Sequence, residues 1–257
     1  MTKDKPALWV FLRGLGREKG HWGNFVDEFQ ASFPGEEVLC VDLPGAGDAR
    51  DVPPPTSLAS MTDFVRHQVH QAAGGERPIN LLSISLGGMV TLEWMRRHPH
   101  ELHFVVIMNT SAAGLNPFYR RLRLSAAPRF LSSAFVRDPH LRERKIVDLI
   151  SNRREVHDQT AEQWYRLGQE RPVNRRSVAR QLLAASRFRL PRQMPSVPTL
   201  LMVGQGDRLV HPDCTEALHR HYGWEIARHP WAGHDLPLDD APWIFSEIRK
   251  WRNQNGF

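Results

Sequence analysis

The stretch Asn80-Leu-Leu-Ser-Ile-Ser85-Leu-Gly-Gly88 decides how the rest of the chain is read. A mostly apolar run of strand length, Ile79–Ile84, passes straight into a segment with helical periodicity, Leu86–Arg97. Ser85 therefore falls on the turn between a strand and a helix. So sharp a turn strains the backbone of its central residue, and it needs small neighbours two positions away so that strand and helix can approach. Ser83 and Gly87 meet that need, and Gly88 adds clearance. By itself the pattern is weak, because serines flanked by small residues are common in loops. The rest of the chain must supply partners.

Working outward, apolar runs of strand length alternate with longer amphipathic stretches. Strands are predicted at Leu8–Leu12, Val38–Val41, Ile79–Ile84, Phe104–Met108, Thr199–Val203 and Glu225–Arg228. Helices are predicted at Trp22–Phe33, Leu58–Ala73, Leu86–Arg97, Pro212–Tyr222 and Ala241–Trp251. The fold class is α/β: about six mostly parallel strands flanked by helices on both faces. Two regions break the alternation. Asp42–Ser57 is rich in Gly and Pro and reads as a loop. Residues 112–195 contain no convincing strand and read as helical pieces separated by prolines, an insertion between the two core segments 1–111 and 196–257.

A serine hydroxyl is a poor nucleophile until a base takes its proton. After an elbow of this kind the acid and then the histidine follow in chain order. Pro198-Thr-Leu-Leu-Met-Val-Gly-Gln-Gly-Asp207 ends an apolar strand in two glycines and a carboxylate. Trp231-Ala-Gly-His234 places an imidazole on the loop after the last strand, with Ala232 and Gly233 giving it room. Separately, Asp207 reads as a turn aspartate and His234 as one surface histidine among 13. Together, in order and at strand ends, Ser85, Asp207 and His234 read as a catalytic triad. His229 comes too early for the loop position, and His211 reads as shaping its own loop. The strand Phe104–Met108 ends in Asn109 rather than an acid. An oxyanion would need two main-chain donors, for which Leu86, just past the serine, and Leu15, in Arg13-Gly14-Leu15-Gly16, are the candidates.

Bulk properties limit the other classes. The 257 residues are 41% hydrophobic and 24% charged, ordinary values for a large globular unit. Cys40 and Cys214 are too few for a disulfide framework and have no zinc spacing, so a buried, reduced thiol is the expectation at Cys40. No signal peptide or membrane span is read, which makes a cytoplasmic enzyme the default. The net charge of +6 allows an anionic partner, but no nucleic-acid-binding motif supports that role.

These motifs taken together resemble the α/β-hydrolase superfamily over nearly the whole chain. Arg13-Gly14-Leu15-Gly16 is similar to its His-Gly oxyanion loop and Asp42-Leu-Pro-Gly-Ala-Gly47 to its D-x-P-G-x-G turn. Gly204-Gln-Gly-Asp207 and Gly233-His234 resemble its acid and histidine motifs. The resemblance implies hydrolysis of an ester, thioester or amide through an acyl-serine intermediate, with no metal or organic cofactor. Two departures stand out. Arg13 replaces the usual histidine, either as a structural swap or as a cation beside the substrate entrance. The family's first hairpin is expected to be absent. The insertion occupies the place of the family's helical cap and carries eighteen Arg and Lys against seven Asp and Glu. A solvated helical surface accounts for that excess. So does the steering of an anionic or carrier-bound small-molecule substrate toward the site. Two further readings keep the scaffold and change the chemistry: a C–C-bond hydrolase or lyase without an acyl-enzyme, and a non-catalytic ligand binder.

Overall fold

A computed structural model describes residues 7–74, 77–123, 125–126, 128 and 136–257. Its centre is a sheet of six parallel strands: β1 (Leu8–Leu12), β2 (Glu37–Val41), β3 (Ile79–Ile84), β4 (Leu102–Met108), β5 (Thr199–Gly204) and β6 (Glu225–His229). Their spatial order is β2-β1-β3-β4-β5-β6. Successive side chains on a strand point to opposite faces, and the apolar runs supply both. From β1, Leu8, Val10 and Leu12 join one core layer, against helices α2 (Leu58–Ala73) and α3 (Leu86–Arg97). Trp9 and Phe11 join the other, against α1 (Phe25–Ser32) and the last helix, Ala241–Asn255. That second layer is aromatic: the Phe29 ring meets Trp9 and Phe11 edge-on, with centroids 4.9 and 5.0 Å apart.

Helix boundaries follow local chemistry. Ser57 caps α2 by accepting from the Ser60 amide at 3.2 Å, and Gly74 ends it in the left-handed region. The helix predicted over Trp22–Phe33 is in fact two pieces. Gly23, at φ 53° and ψ −131°, separates a 3₁₀ turn at Lys19–Trp22 from α1. β2 and β6 are the sheet edges and are only partly covered, so Cys40 on β2 is half-buried rather than fully buried. The first six residues, where the missing hairpin was expected, lie outside the described residues.

Between β4 and β5 the chain makes a helical insertion. It includes a short turn at Phe118–Arg121 and the helices α4 (Pro139–Ile150), α5 (His157–Glu170) and α6 (Arg175–Arg187). Val147, Leu149, Ile150, Ala161 and Trp164 give α4 and α5 a small core of their own. In the core, α7 (Asp213–Tyr222) and α8 (Ala241–Asn255) complete the layers. Among the described residues no helix is long and apolar enough to cross a membrane.

The chain steps from β1 outward to β2 and then returns past β1 to β3. The strand order thus reverses between β1 and β3, and in open α/β sheets ligands bind outside the carboxyl ends of the strands at such a point. The loops carrying Leu15, Ser85, Asp207 and His234 all follow carboxyl ends of strands in this one sheet.

Candidate active site

Ser85 is the residue before α3, with φ 57° and ψ −117°. A positive φ is rare for any residue with a side chain and stores strain. Its neighbours hold it there: the Ser85 amide donates to Met108 O at 3.0 Å, and Thr110 Oγ1 donates to Ser85 O at 2.7 Å. The small-residue requirement is steric in the literal sense. A Cβ on Gly87 would lie 2.5 Å from Leu12 O, and one on Gly14 would lie 3.0 Å from Ser85 Cβ. Ser83, in place of a first glycine, turns its hydroxyl inward and accepts from Thr91 Oγ1 at 2.9 Å.

Asp207 and His234 are brought together. Asp207 Oδ2 pairs with His234 Nδ1 at 2.7 Å, and both residues are buried. The other oxygen, Oδ1, accepts from the amides of Leu209 and Val210 at 2.8 and 2.9 Å. The carboxylate is therefore fixed in orientation, with one oxygen left for the imidazole. Asn109, at φ 44°, links this pair to the elbow. Its Nδ2 donates to Gly233 O and His234 O at 3.0 and 2.8 Å, and its Oδ1 accepts from Gly204 N at 3.0 Å. The residue just before it accepts from the Ser85 amide. Among the described residues the Ser85 hydroxyl forms no hydrogen bond to His234; in resting sites this contact is often long until substrate arrives.

Leu86 is the first residue of α3, where an amide has no intrahelical acceptor. Leu15 follows Gly14, whose Cα packs against Ser85. Neither amide has an internal acceptor among the described residues. Gly16 N donates to Gln181 Oε1 at 2.9 Å, and Gln181 Nε2 donates to Pro44 O at 2.8 Å. A fully buried glutamine of α6 thus pins the β1 loop to the Asp42–Ser57 loop.

Arg13 is buried. Its side chain is 4% exposed, and its two outer nitrogens bond Asp235 at 2.5 and 3.2 Å. The guanidinium also lies over the Trp22 ring, 4.8 Å from its centroid. The contacts describe the structural swap rather than the entrance cation: a buried ion pair joins the β1 loop to the residue after His234. His229 is structural too, its Nδ1 accepting from the Ala232 amide at 2.9 Å.

The basic excess of the insertion is partly consumed by internal contacts. Arg123 Nη1 donates to Asp207 O at 2.8 Å, and Arg121 donates to carbonyls at the end of α6. Arg171 pairs with Glu18 at 3.0 Å and Asp48 at 3.3 Å across the seam between insertion and core. Burial pushes the Glu18 carboxyl up to about 6 against the pull of Arg171, with Asp42 and Asp48 adding to the rise. The exposed side chains of Arg175, Arg176, Arg187 and Arg192 have no partner among the described residues.

A second Ser–His–Asp grouping lies in the insertion. His157 Nδ1 pairs with Asp148 Oδ1 at 2.8 Å, and His157 Nε2 with Ser151 Oγ at 3.2 Å. Nothing in the sequence analysis pointed to it, nor to the buried carboxylate of Asp239 beside it.

Strand order, strained elbow and buried acid–histidine pair together define an α/β-hydrolase. Residues 9–245 match the alpha/beta hydrolase family, and the chain belongs to it. It is 29% identical over 183 residues to the biotin biosynthesis bifunctional protein BioHC of Teredinibacter turnerae, covering 61% of this chain and 30% of that protein. It is 30% identical over 99 residues to a pimeloyl-[acyl-carrier protein] methyl ester esterase of Neisseria meningitidis, covering 38% of this chain and 34% of that one. The matches thus span about a third of these relatives' lengths. Among solved structures, an esterase from Thermogutta terrifontis superposes with TM-score 0.73 at 20% identity, covering 97% of this chain and 90% of that one. The enol-lactonase of Burkholderia xenovorans LB400 gives TM-score 0.74 at 17% identity, covering 98% and 93%. At these identities the likeness is one of fold.

Proposed function

We propose that this hydrolase cleaves an ester or thioester through an acyl-serine intermediate, with Ser85 as nucleophile, His234 as base and Asp207 as the group that orients the base. The observation that carries the reading is the buried 2.7 Å Asp207–His234 hydrogen bond, linked through Asn109 to a serine held at positive φ. With Nδ1–H engaged by Asp207, the free Nε2 of His234 takes the Ser85 proton as the hydroxyl attacks the substrate carbonyl. The oxyanion that forms is stabilised by the amides of Leu15 and Leu86. His234 then gives its proton to the leaving group, and water repeats the sequence on the acyl-enzyme. The insertion serves as the cap, and its unpaired arginines on and after α6 draw in an anionic or carrier-bound acyl group. The relatives include one whose name specifies a carrier-protein-bound ester, which fits that surface.

The test is a panel of p-nitrophenyl esters and acyl thioesters with neutral and carboxylate-ended acyl groups. Ser85→Ala is expected to lower kcat by about 10⁴-fold or more. Arg175→Glu with Arg176→Glu is expected to raise KM about 3- to 10-fold for the anionic substrates only, and less at high salt. Unchanged turnover in Ser85→Ala ends the serine mechanism; unchanged KM for every anionic substrate ends the steering role alone.

A further inference from the structure

The loop that carries His234 is gripped from the side of the insertion by a carboxylate that the triad does not use. Asp239 is 2% exposed and closes the short turn Leu236–Asp239. Its Oδ2 accepts from the amide of Gly233, the residue immediately before His234, at 2.5 Å. Its Oδ1 accepts from Ser151 Oγ at 2.6 Å, Asn152 N at 3.0 Å and Arg153 N at 3.2 Å. These three donors form the turn that ends α4. One buried carboxylate therefore joins the insertion to the peptide that leads into the histidine. Buried charge is tolerated only when it is fully hydrogen-bonded, and this one is.

The donors on the insertion side are themselves held. A carboxylate only accepts, so the single hydroxyl proton of Ser151 goes to Asp239. Ser151 Oγ is then left to accept from Arg153 N at 3.2 Å, and His157 Nε2 lies 3.2 Å from it. His157 is anchored in turn on Asp148. Asn152 Nδ2 donates to Gly206 O and Trp231 O at 3.0 and 2.7 Å, which ties the same turn to the acid loop and the histidine loop. A Cβ on Gly233 would lie 2.6 Å from Ile150 O, so the two backbones are in direct contact. With Asn109 bonding Gly233 O and His234 O from the other side, the main chain at 233–234 has little freedom left.

We propose that Asp239 is a positioning residue for His234, and that the Ser151–Asn152–Arg153 turn of the insertion holds it in place. The inference rests on the serine-hydrolase reading, because it takes His234 as the base. It makes this end of the insertion part of the frame of the site. A displacement of the imidazole by about 1 Å lowers the rate of proton transfer by as much as about 100-fold while leaving substrate contacts alone.

Asp239→Asn separates the two sides of the bridge. The amide oxygen can still serve the three donors of the insertion, but its NH₂ then faces the Gly233 amide, donor against donor. Turnover of a p-nitrophenyl ester, normalised by fluorophosphonate titration of Ser85, is expected to show kcat lower by about 10- to 100-fold with KM within about threefold. Hydrogen exchange in the peptide around 229–240 should speed up. Ser151→Ala, which removes one donor only, should lower kcat about threefold with a smaller change in exchange. If Asp239→Asn folds and keeps both kcat and the exchange pattern, the proposal is overturned; if it does not fold, Ser151→Ala with neither change overturns it. Failure of the hydrolase reading is separate: it appears as wild-type turnover in Ser85→Ala, while exchange at Gly233 still reports on the bridge.

Discussion

Ser85, His234 and Asp207 come from three different strand ends, whereas Ser151, His157 and Asp148 come from one short stretch of the insertion, His157 and Asp148 being nine positions apart. Both groupings place a carboxylate on the imidazole Nδ1, at 2.7 and 2.8 Å. They differ at the serine. Ser151 has an ordinary extended backbone, φ −115° and ψ 145°, is fully buried, and has committed its proton to Asp239. Ser85 is held at positive φ at a helix N-terminus, is partly exposed, and its hydroxyl has not been given to another acceptor among the described residues. The proposed reactivity of Ser85 therefore rests on strain, access and an uncommitted proton; the mere presence of three residue types in hydrogen-bonding order is not enough.

The largest expected contrast is between the two acids. Asp207→Asn leaves the geometry in place but presents the wrong partner to His234, and kcat is expected to fall by about 10³- to 10⁴-fold. Asp148→Asn is expected to change kcat by less than about threefold, measured on the same ester. A large loss from Asp148→Asn would break the comparison.

Next comes the backbone. Gly87→Ala drives a methyl group into Leu12 O and Arg13 O, backbone atoms at 2.5 and 2.7 Å that have little room to move. Destabilisation of about 1–3 kcal/mol or more is expected by denaturant titration. Gly168 lies inside α5 of the insertion with nothing within 4 Å of its would-be Cβ. Gly168→Ala is expected to stabilise by about 0.5–1 kcal/mol through helix propensity.

The smallest effect concerns the seam between the two regions. Folding raises the Glu18 pKa from 4.5 to about 6. Its contribution to stability is therefore full below about pH 4.5 and is lost as pH rises through about 6. The Tm of the wild type minus that of Glu18→Gln should fall between pH 4.5 and pH 7. A difference that stays flat would remove Glu18 from the account.

The proposed catalytic set was legible because its chemistry coincides with local signals: a serine between small residues, an aspartate after strand and glycines, a histidine after the last strand. Six parallel strands were legible because buried strands read as apolar runs. The supports were not. Asn109 closes the position where an acid was sought and failed, and its role depends on carbonyls more than a hundred residues away. Asp239 and Gln181 look like any surface polar residue, since a buried, fully bonded side chain leaves no periodic mark. Arg13 was visible as a departure, but its direction was not: only the fold brings Asp235 to it. The break at Gly23 was readable in principle, since a glycine inside a helical pattern is a warning.

The stitched turn at Ser151–Arg153 bears on how the molecule comes apart. Local regions of a protein open as cooperative units, and a peripheral domain joined by a few solvent-exposed contacts usually opens before the core. Here the insertion shares a buried bond with the histidine loop and part-buried bonds with the acid loop and, through Gln181, the β1 loop. Heat or denaturant that loosens it should remove hydrolase activity in the same transition, so the insertion and the rim of the sheet would melt as one unit.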